Sequence, residues 1–107
     1  MSVQYLYNSS GEWIAFCEGK YVFDTGGRWI GWLPWDDKEV VDVKGDYLGT
    51  IVGGNRFYRF FHRVYRGYPG YPGYPGYPGY PGYPGYAGYS PLPPGAEDIN
   101  LEEEKKS

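Results

Sequence analysis

The chain is short of the side chains that do chemistry. Its 107 residues hold one cysteine, Cys17, and one histidine, His62. A single cysteine excludes an internal disulfide framework. One Cys and one His do not complete a zinc site without help from carboxylates. No apolar run approaches the ~20 residues of a membrane helix. The opening MSVQYLYNSSGEW lacks the basic-then-apolar layout of a secretory leader. A basic excess is missing too. Residues 1–66 carry eight Lys or Arg against eight Asp or Glu, and the net charge of −3 comes from the five acids and two lysines of Ala96–Ser107. That balance disfavours a nucleic-acid partner, and a cytoplasmic protein with no membrane span is the expectation.

Aromatic residues and glycine are plentiful, and they recur in a frame. Lys20–Leu33 reads KYVFDTGGRWIGWL. Tyr21, Val22 and Phe23 suit a pleated, half-buried surface. Asp24 starts a turn by bonding its own backbone two residues on, and Gly27 accepts a positive φ. Arg28–Leu33 then alternates, with Trp29, Gly31 and Leu33 on one face and Ile30 and Trp32 on the other. Pro34 ends the strand because it has no ladder donor. The frame occurs in three units: YLYNSSGEWIAF, YVFDTGGRWIGW and EVVDVKGDYLGTIV. In each, a turn residue (Asn8, Asp24, Asp42) precedes Gly (Gly11, Gly27, Gly45) by three places. An aromatic (Trp13, Trp29, Tyr47), an aliphatic (Ile14, Ile30, Leu48) and a small residue (Ala15, Gly31, Gly49) follow.

A fourth, decayed unit is read over residues 56–66. Arg56, Phe57 and Tyr58 take the first strand, Arg59 the turn-acid place, His62 the glycine place, and Val64 and Tyr65 the paired apolar places. The spacing of Arg56, Arg59, Arg63 and Arg66 also allows a short helix there. The small column lets hairpins approach one another closely around a shared axis.

YNSSGEWIAF, KYVFDTGGRWIGWLPWDDKEVV and the Tyr-Pro-Gly tract followed by SPLPPGAED together resemble the bacterial four-fold β-flower domain family. The resemblance covers most of the chain. It implies an all-β fold of four short β-hairpins around a pseudo-fourfold axis. It implies no activity, since the family's function is uncharacterised. A narrower likeness, to the PRC-barrel interaction module, rests on the Gly-x-x-Ile/Leu-Gly columns alone.

The candidate sites fall on or beside that frame. Cys17 and His62 form a conceivable thiol–imidazole pair, but a catalytic thiol needs an electropositive setting, and a small buried hydrophobe is the simpler role. Asp36-Asp37-Lys38-Glu39 reads as a solvated turn, with no ligand set completed around it. The repeat column makes Trp29 core, while Trp35, after Pro34 and outside the frame, is a candidate contact residue. Arg56, Arg59, Arg63 and Arg66, interleaved with aromatics, are candidate anion contacts. No catalytic residue, metal or cofactor is assigned.

From Gly67 the composition changes. Tyr-Pro-Gly runs six times from Tyr68 to Gly85, then Tyr86-Ala87-Gly88-Tyr89. A polyproline II helix repeats every three residues and would set Tyr68, Tyr71, Tyr74, Tyr77, Tyr80, Tyr83, Tyr86 and Tyr89 in one stripe. The expected organisation is therefore a β-hairpin domain over 1–66, an extended Tyr-Pro-Gly and Pro-rich arm over 67–95, and an acidic disordered tail over 96–107. The function this favours is a non-enzymatic structural or interaction module, with the arm contacting a protein partner or a second copy. The alternatives are a small ligand- or phosphate-binding module and a thiol-dependent enzyme.

Overall fold

The structure, a computed structural model, describes residues 3–62, 65–99 and 101. Eight strands make one sheet: β1 (Val3–Tyr7), β2 (Trp13–Glu18), β3 (Tyr21–Asp24), β4 (Trp29–Trp32), β5 (Glu39–Asp42), β6 (Tyr47–Val52), β7 (Arg56–Phe60) and β8 (Ala96–Asp98). Each pairs antiparallel with the next, and a parallel bridge from Tyr7 to Arg56 brings β1 back to β7 and closes the ring. The four hairpins β1–β2, β3–β4, β5–β6 and β7–β8 stand around a pseudo-fourfold axis.

Three of the turns are built alike. The N–H groups of Asn8, Asp24 and Asp42 donate to the carbonyls of Glu12, Arg28 and Asp46 at 3.0, 2.9 and 2.7 Å. Gly11, Gly27 and Gly45 donate back to those turn residues at 3.0–3.1 Å, with φ of +89°, +87° and +95°. Asp24 Oδ1 accepts from the Gly26 and Arg28 N–H groups, and Asp42 Oδ1 accepts from Lys44 and Asp46 in the same way.

A β-bulge sits at the same column of all three hairpins. Tyr7 opposes Trp13 while Leu6 opposes Ala15, which leaves Ile14 as the extra residue. Ile30 and Leu48 are left over in the same way. The bulge breaks the strict alternation expected across Arg28–Leu33. It turns the aromatic outward and lets the aliphatic and the small residue after it both reach the interior. Leu6, Ala15, Cys17, Val22, Ile30, Val40, Leu48, Ile51, Phe57 and Leu101 form that interior, with Ile14, Leu33 and Ile99 packed against it. The small column serves the joints between hairpins. A Cβ on Gly31 would strike the Val41 carbonyl of the next hairpin, and one on Gly49 would strike Ile99, Phe57 and the Tyr58 carbonyl.

The fourth hairpin departs from the expectation for 56–66. Arg56–Phe60 is a strand rather than a helix, but its partner is Ala96–Asp98, with Tyr58 opposite Asp98 and Phe60 opposite Ala96. The Phe61 N–H donates to the Gly95 carbonyl at 2.8 Å and closes the loop. The Tyr-Pro-Gly tract is thus the turn of the fourth hairpin, enlarged. Pro93-Pro94-Gly95-Ala96 re-enters the sheet through a bond from Ala96 N–H to Pro93 O (3.1 Å), with Gly95 at φ +82°. Proline second and glycine third is the type II turn pattern. The boundary at 66/67 therefore cuts through a hairpin. The disordered-tail reading fails where it can be checked, because Ala96–Asp98 is paired and Leu101 is buried in the core. Arg63, Val64 and most of the acidic end lie outside the described residues.

The arm is extended, but it is not a polyproline II helix. That helix keeps φ near −75° throughout, whereas every glycine from Gly67 to Gly88 has φ between +84° and +94°. A straight rod of this length would reach about 70 Å, and the molecule measures 35 × 33 × 28 Å. Glycine at positive φ re-aims the chain at each third residue, so the arm curves around the domain.

Candidate functional site

The arm passes the hairpins in the order third, second, first, opposite to their order in sequence. Tyr68 and Pro69 cover Gly45, and the ring of Tyr77 covers Gly27. At the first turn the contact is backbone on backbone. Ala87 N–H donates to the Gly11 carbonyl at 2.9 Å, and Ser90 N–H donates to the Ser9 carbonyl at 2.8 Å. Beyond it, Asp98 receives the Ser9 N–H and hydroxyl at 2.8 and 2.6 Å, which fastens the end of β8 to the first hairpin.

Between these points, pairs of tyrosines straddle the outward tryptophans. Trp29 lies 5.6 and 5.8 Å from the rings of Tyr71 and Tyr74. Trp13 lies 5.9 and 6.0 Å from Tyr80 and Tyr83. The same step of nine residues separates the two pairs, so three triplets of arm advance one hairpin of domain. Each indole N–H is already used. Trp13 Nε1 donates to the Ala15 carbonyl and Trp29 Nε1 to the Gly31 carbonyl, both at 2.7 Å. The tryptophans therefore offer ring surface and no donor.

The eight belt tyrosines, Tyr68 to Tyr89, are 59–73% exposed, while the prolines and glycines of the repeat, Pro69–Gly88, are half-buried. The period of three survives without the polyproline helix. Gly26, Gly27, Arg28, Trp29, Val43, Tyr71, Tyr74 and Tyr77 enclose a cleft of about 620 Å³ on this belt. A second cavity, of about 450 Å³, lies by the loops at the other end, next to Lys20, Asp36, Asp37 and Lys38.

The remaining candidates are spread out. Cys17 is 3% exposed in the aliphatic core, where burial pushes its thiol up to about 12. His62 lines a surface recess with Tyr47, Phe60 and Arg66. Arg56, Arg59 and Arg66 do not converge. Arg56 donates to the Asn8 carbonyl at 2.8 Å and the Ala87 carbonyl at 3.3 Å, and Arg59 lies over Tyr47. Arg66 bridges Asp37 and Glu39 at 2.7 and 2.8 Å and caps the ring of Trp35 at 4.3 Å. Trp35, a candidate contact residue by its position, is thus half-buried under a guanidinium. Among the described residues no cluster of three or more His, Cys, Asp or Glu is placed to hold a metal ion, and no helix is long and apolar enough to cross a membrane.

The arm's docking was the feature sequence reasoning did not reach. The signals for it were the nine-residue multiple linking Tyr71 to Tyr80 and the Pro-Pro-Gly turn before Ala96. No curated protein and no solved structure matches the chain. The sequence model of the 4-fold beta flower protein family matches residues 3–101, which takes in the hairpins, the belt and β8 alike, and the chain belongs to that family.

Proposed function

We propose that this β-flower domain is a non-enzymatic interaction module whose contact surface is the tyrosine belt. One observation carries the reading: eight tyrosine rings stand exposed on a backbone already fixed to the domain. An arm that only connected β7 to β8 would need no aromatic ring at each third place. Tyrosine supplies large apolar area with a polar tip and few rotatable bonds, a composition enriched at protein interfaces. Fixing the backbone beforehand lowers the ordering cost on binding. Among the described residues, the buried Cys17 thiol and the dispersed Arg56, Arg59 and Arg66 favour no competing nucleophile or anion site. A cytoplasmic location belongs to the same reading, in which the single cysteine forms no internal disulfide framework.

The test replaces the eight belt tyrosines with serine in the full chain and checks folding by thermal melt. Self-association is followed by sedimentation, and protein capture from cell extract is compared with the parent chain. Loss of either in the serine chain supports the reading. Identical behaviour in both assays reduces the belt to a strap.

A further inference from the structure

Two neighbouring hairpins carry the same aromatic construction with opposite charge. The residue before the outward aromatic is Glu12 in the first hairpin and Arg28 in the second. Both are exposed. Arg28 lines the cleft with Trp29, Tyr71 and Tyr74 and makes no ion pair among the described residues. The Glu12 carboxylate receives the Asn8 side-chain amide at 3.1 Å and is otherwise open.

We propose that a second copy of this chain docks on this edge, about a two-fold axis running between the first and second hairpins. Each copy sets Glu12, Tyr80 and Tyr83 against Arg28, Tyr71 and Tyr74 of the other. The inference rests on the belt being a contact surface, and it names the partner.

A two-fold axis makes an isologous contact, in which each surface element meets the one it is paired with twice. An edge is self-complementary under such an axis when its two halves match in shape and oppose in charge. The internal repeat supplies the matched shape, since Trp13 with Tyr80 and Tyr83 reproduces Trp29 with Tyr71 and Tyr74 to within a few tenths of an ångström in ring separation. The change from Glu12 to Arg28 supplies the opposed charge. The third hairpin offers the opposite charge again, Asp46 against Arg28, but its aromatic is Tyr47 under Arg59, so the Trp–Tyr–Tyr construction is common to the first two hairpins. The four rings are 59–67% exposed. Covering them on both copies buries about 1,000 Å², which with the flanking backbone falls near the lower end of a specific interface and fits a weak, reversible dimer.

The experiment is sedimentation velocity on the full chain over a concentration series into the high micromolar range. The expected result is a monomer–dimer equilibrium. Arg28→Glu and Glu12→Arg should each weaken it by about tenfold or more, because each reversal creates two repulsive pairs per dimer. The double reversal E12R/R28E should restore it to within about threefold of the parent, since the edge becomes complementary again. Both positions are exposed, and thermal melts confirm that the variants fold. A parent chain that stays monomeric throughout overturns the proposal, as does a double variant as weak as the single ones. If the dimer is lost in the Tyr→Ser chain but not rescued by the double reversal, the belt remains a contact surface and this axis is wrong. If no dimer forms while the parent chain still captures protein, the second copy is the wrong partner.

Discussion

Gly11→Ala should be far more damaging than the same change at a glycine outside the belt. Gly11 sits at φ +89°, and a Cβ there would meet backbone atoms of Gly88 at 2.5–2.7 Å. Two costs follow. A positive φ costs an L-residue about 1–2 kcal/mol. The new methyl also pushes away the arm, which is held here by hydrogen bonds from Ala87 and Ser90; each is worth about 0.5–1.5 kcal/mol. The total is about 3 kcal/mol, or a fall in Tm of roughly 12–24 °C for a domain of this size. Gly19→Ala isolates the first cost, because Gly19 has φ +62° and nothing within 4 Å of its Cβ position. It should lower Tm by only about 4–16 °C. Gly27→Ala should fall between the two, since its obstacle is the ring of Tyr77, which can swing aside. Thermal melts followed by circular dichroism measure all three. Equal losses for Gly11→Ala and Gly19→Ala would show that the arm is not seated on the first turn, and the belt architecture would fall with it.

Three further outcomes are expected. Burial raises the Cys17 thiol from its ordinary 9.0 to about 12, so folding favours the neutral thiol; its contribution is fully present below about pH 9 and is lost as pH rises toward 12, and the parent chain should lose stability faster than Cys17→Ala across that window in denaturant melts. Asp37 is held below the usual carboxylate range first by the Glu39 N–H and then by Arg66, so Arg66→Ala should raise its NMR titration midpoint part of the way; an unmoved midpoint refutes the ion pair, and a full return refutes the backbone bond. A chain ending at residue 66 lacks β8, Ile99 and Leu101, and since losing a buried leucine alone costs about 2–5 kcal/mol, it should show no cooperative melt; a sharp transition near that of the full chain would mean that the fourth hairpin completes itself without the arm.

The three regular hairpins were legible because each turn depends on local chemistry. An acid or amide that bonds its own backbone and a glycine three places on are visible in the sequence, and Asp24 and Gly27 occupy those places in space. The bulges were less legible. An extra residue at Ile14 or Ile30 changes which side chains point inward without changing composition. The fourth hairpin was hidden because its strands, Arg56–Phe60 and Ala96–Asp98, are separated by 35 residues of another composition. A change of composition reads as a domain boundary, whereas here it marks a turn. The polyproline expectation erred for a related reason. Proline fixes its own φ, but glycine is free to take either sign, and the need to follow a curved surface selects the positive one.

Why the enlarged turn encircles the domain follows from the repeat itself. Successive outward aromatics Trp13 and Trp29 are 16 residues apart in the domain, and the tyrosine pairs that straddle them are nine apart in the arm. Nine is a whole number of triplets, so the same Tyr-Pro-Gly face meets each hairpin in the same register. A period of eight or ten would rotate a different residue onto each tryptophan. The fourth hairpin is the one that can give up its turn to such an arm, because its first strand closes the ring against the first hairpin through Tyr7 and Arg56, and its second strand is fastened there by Asp98 holding Ser9. The belt therefore leaves from the last hairpin and returns to it, passing the other three on the way. The prolines and glycines of the repeat are half-buried on the inner side of the arm, the tyrosine rings meet the turns and the tryptophans along one side, and the rest of each ring stays exposed.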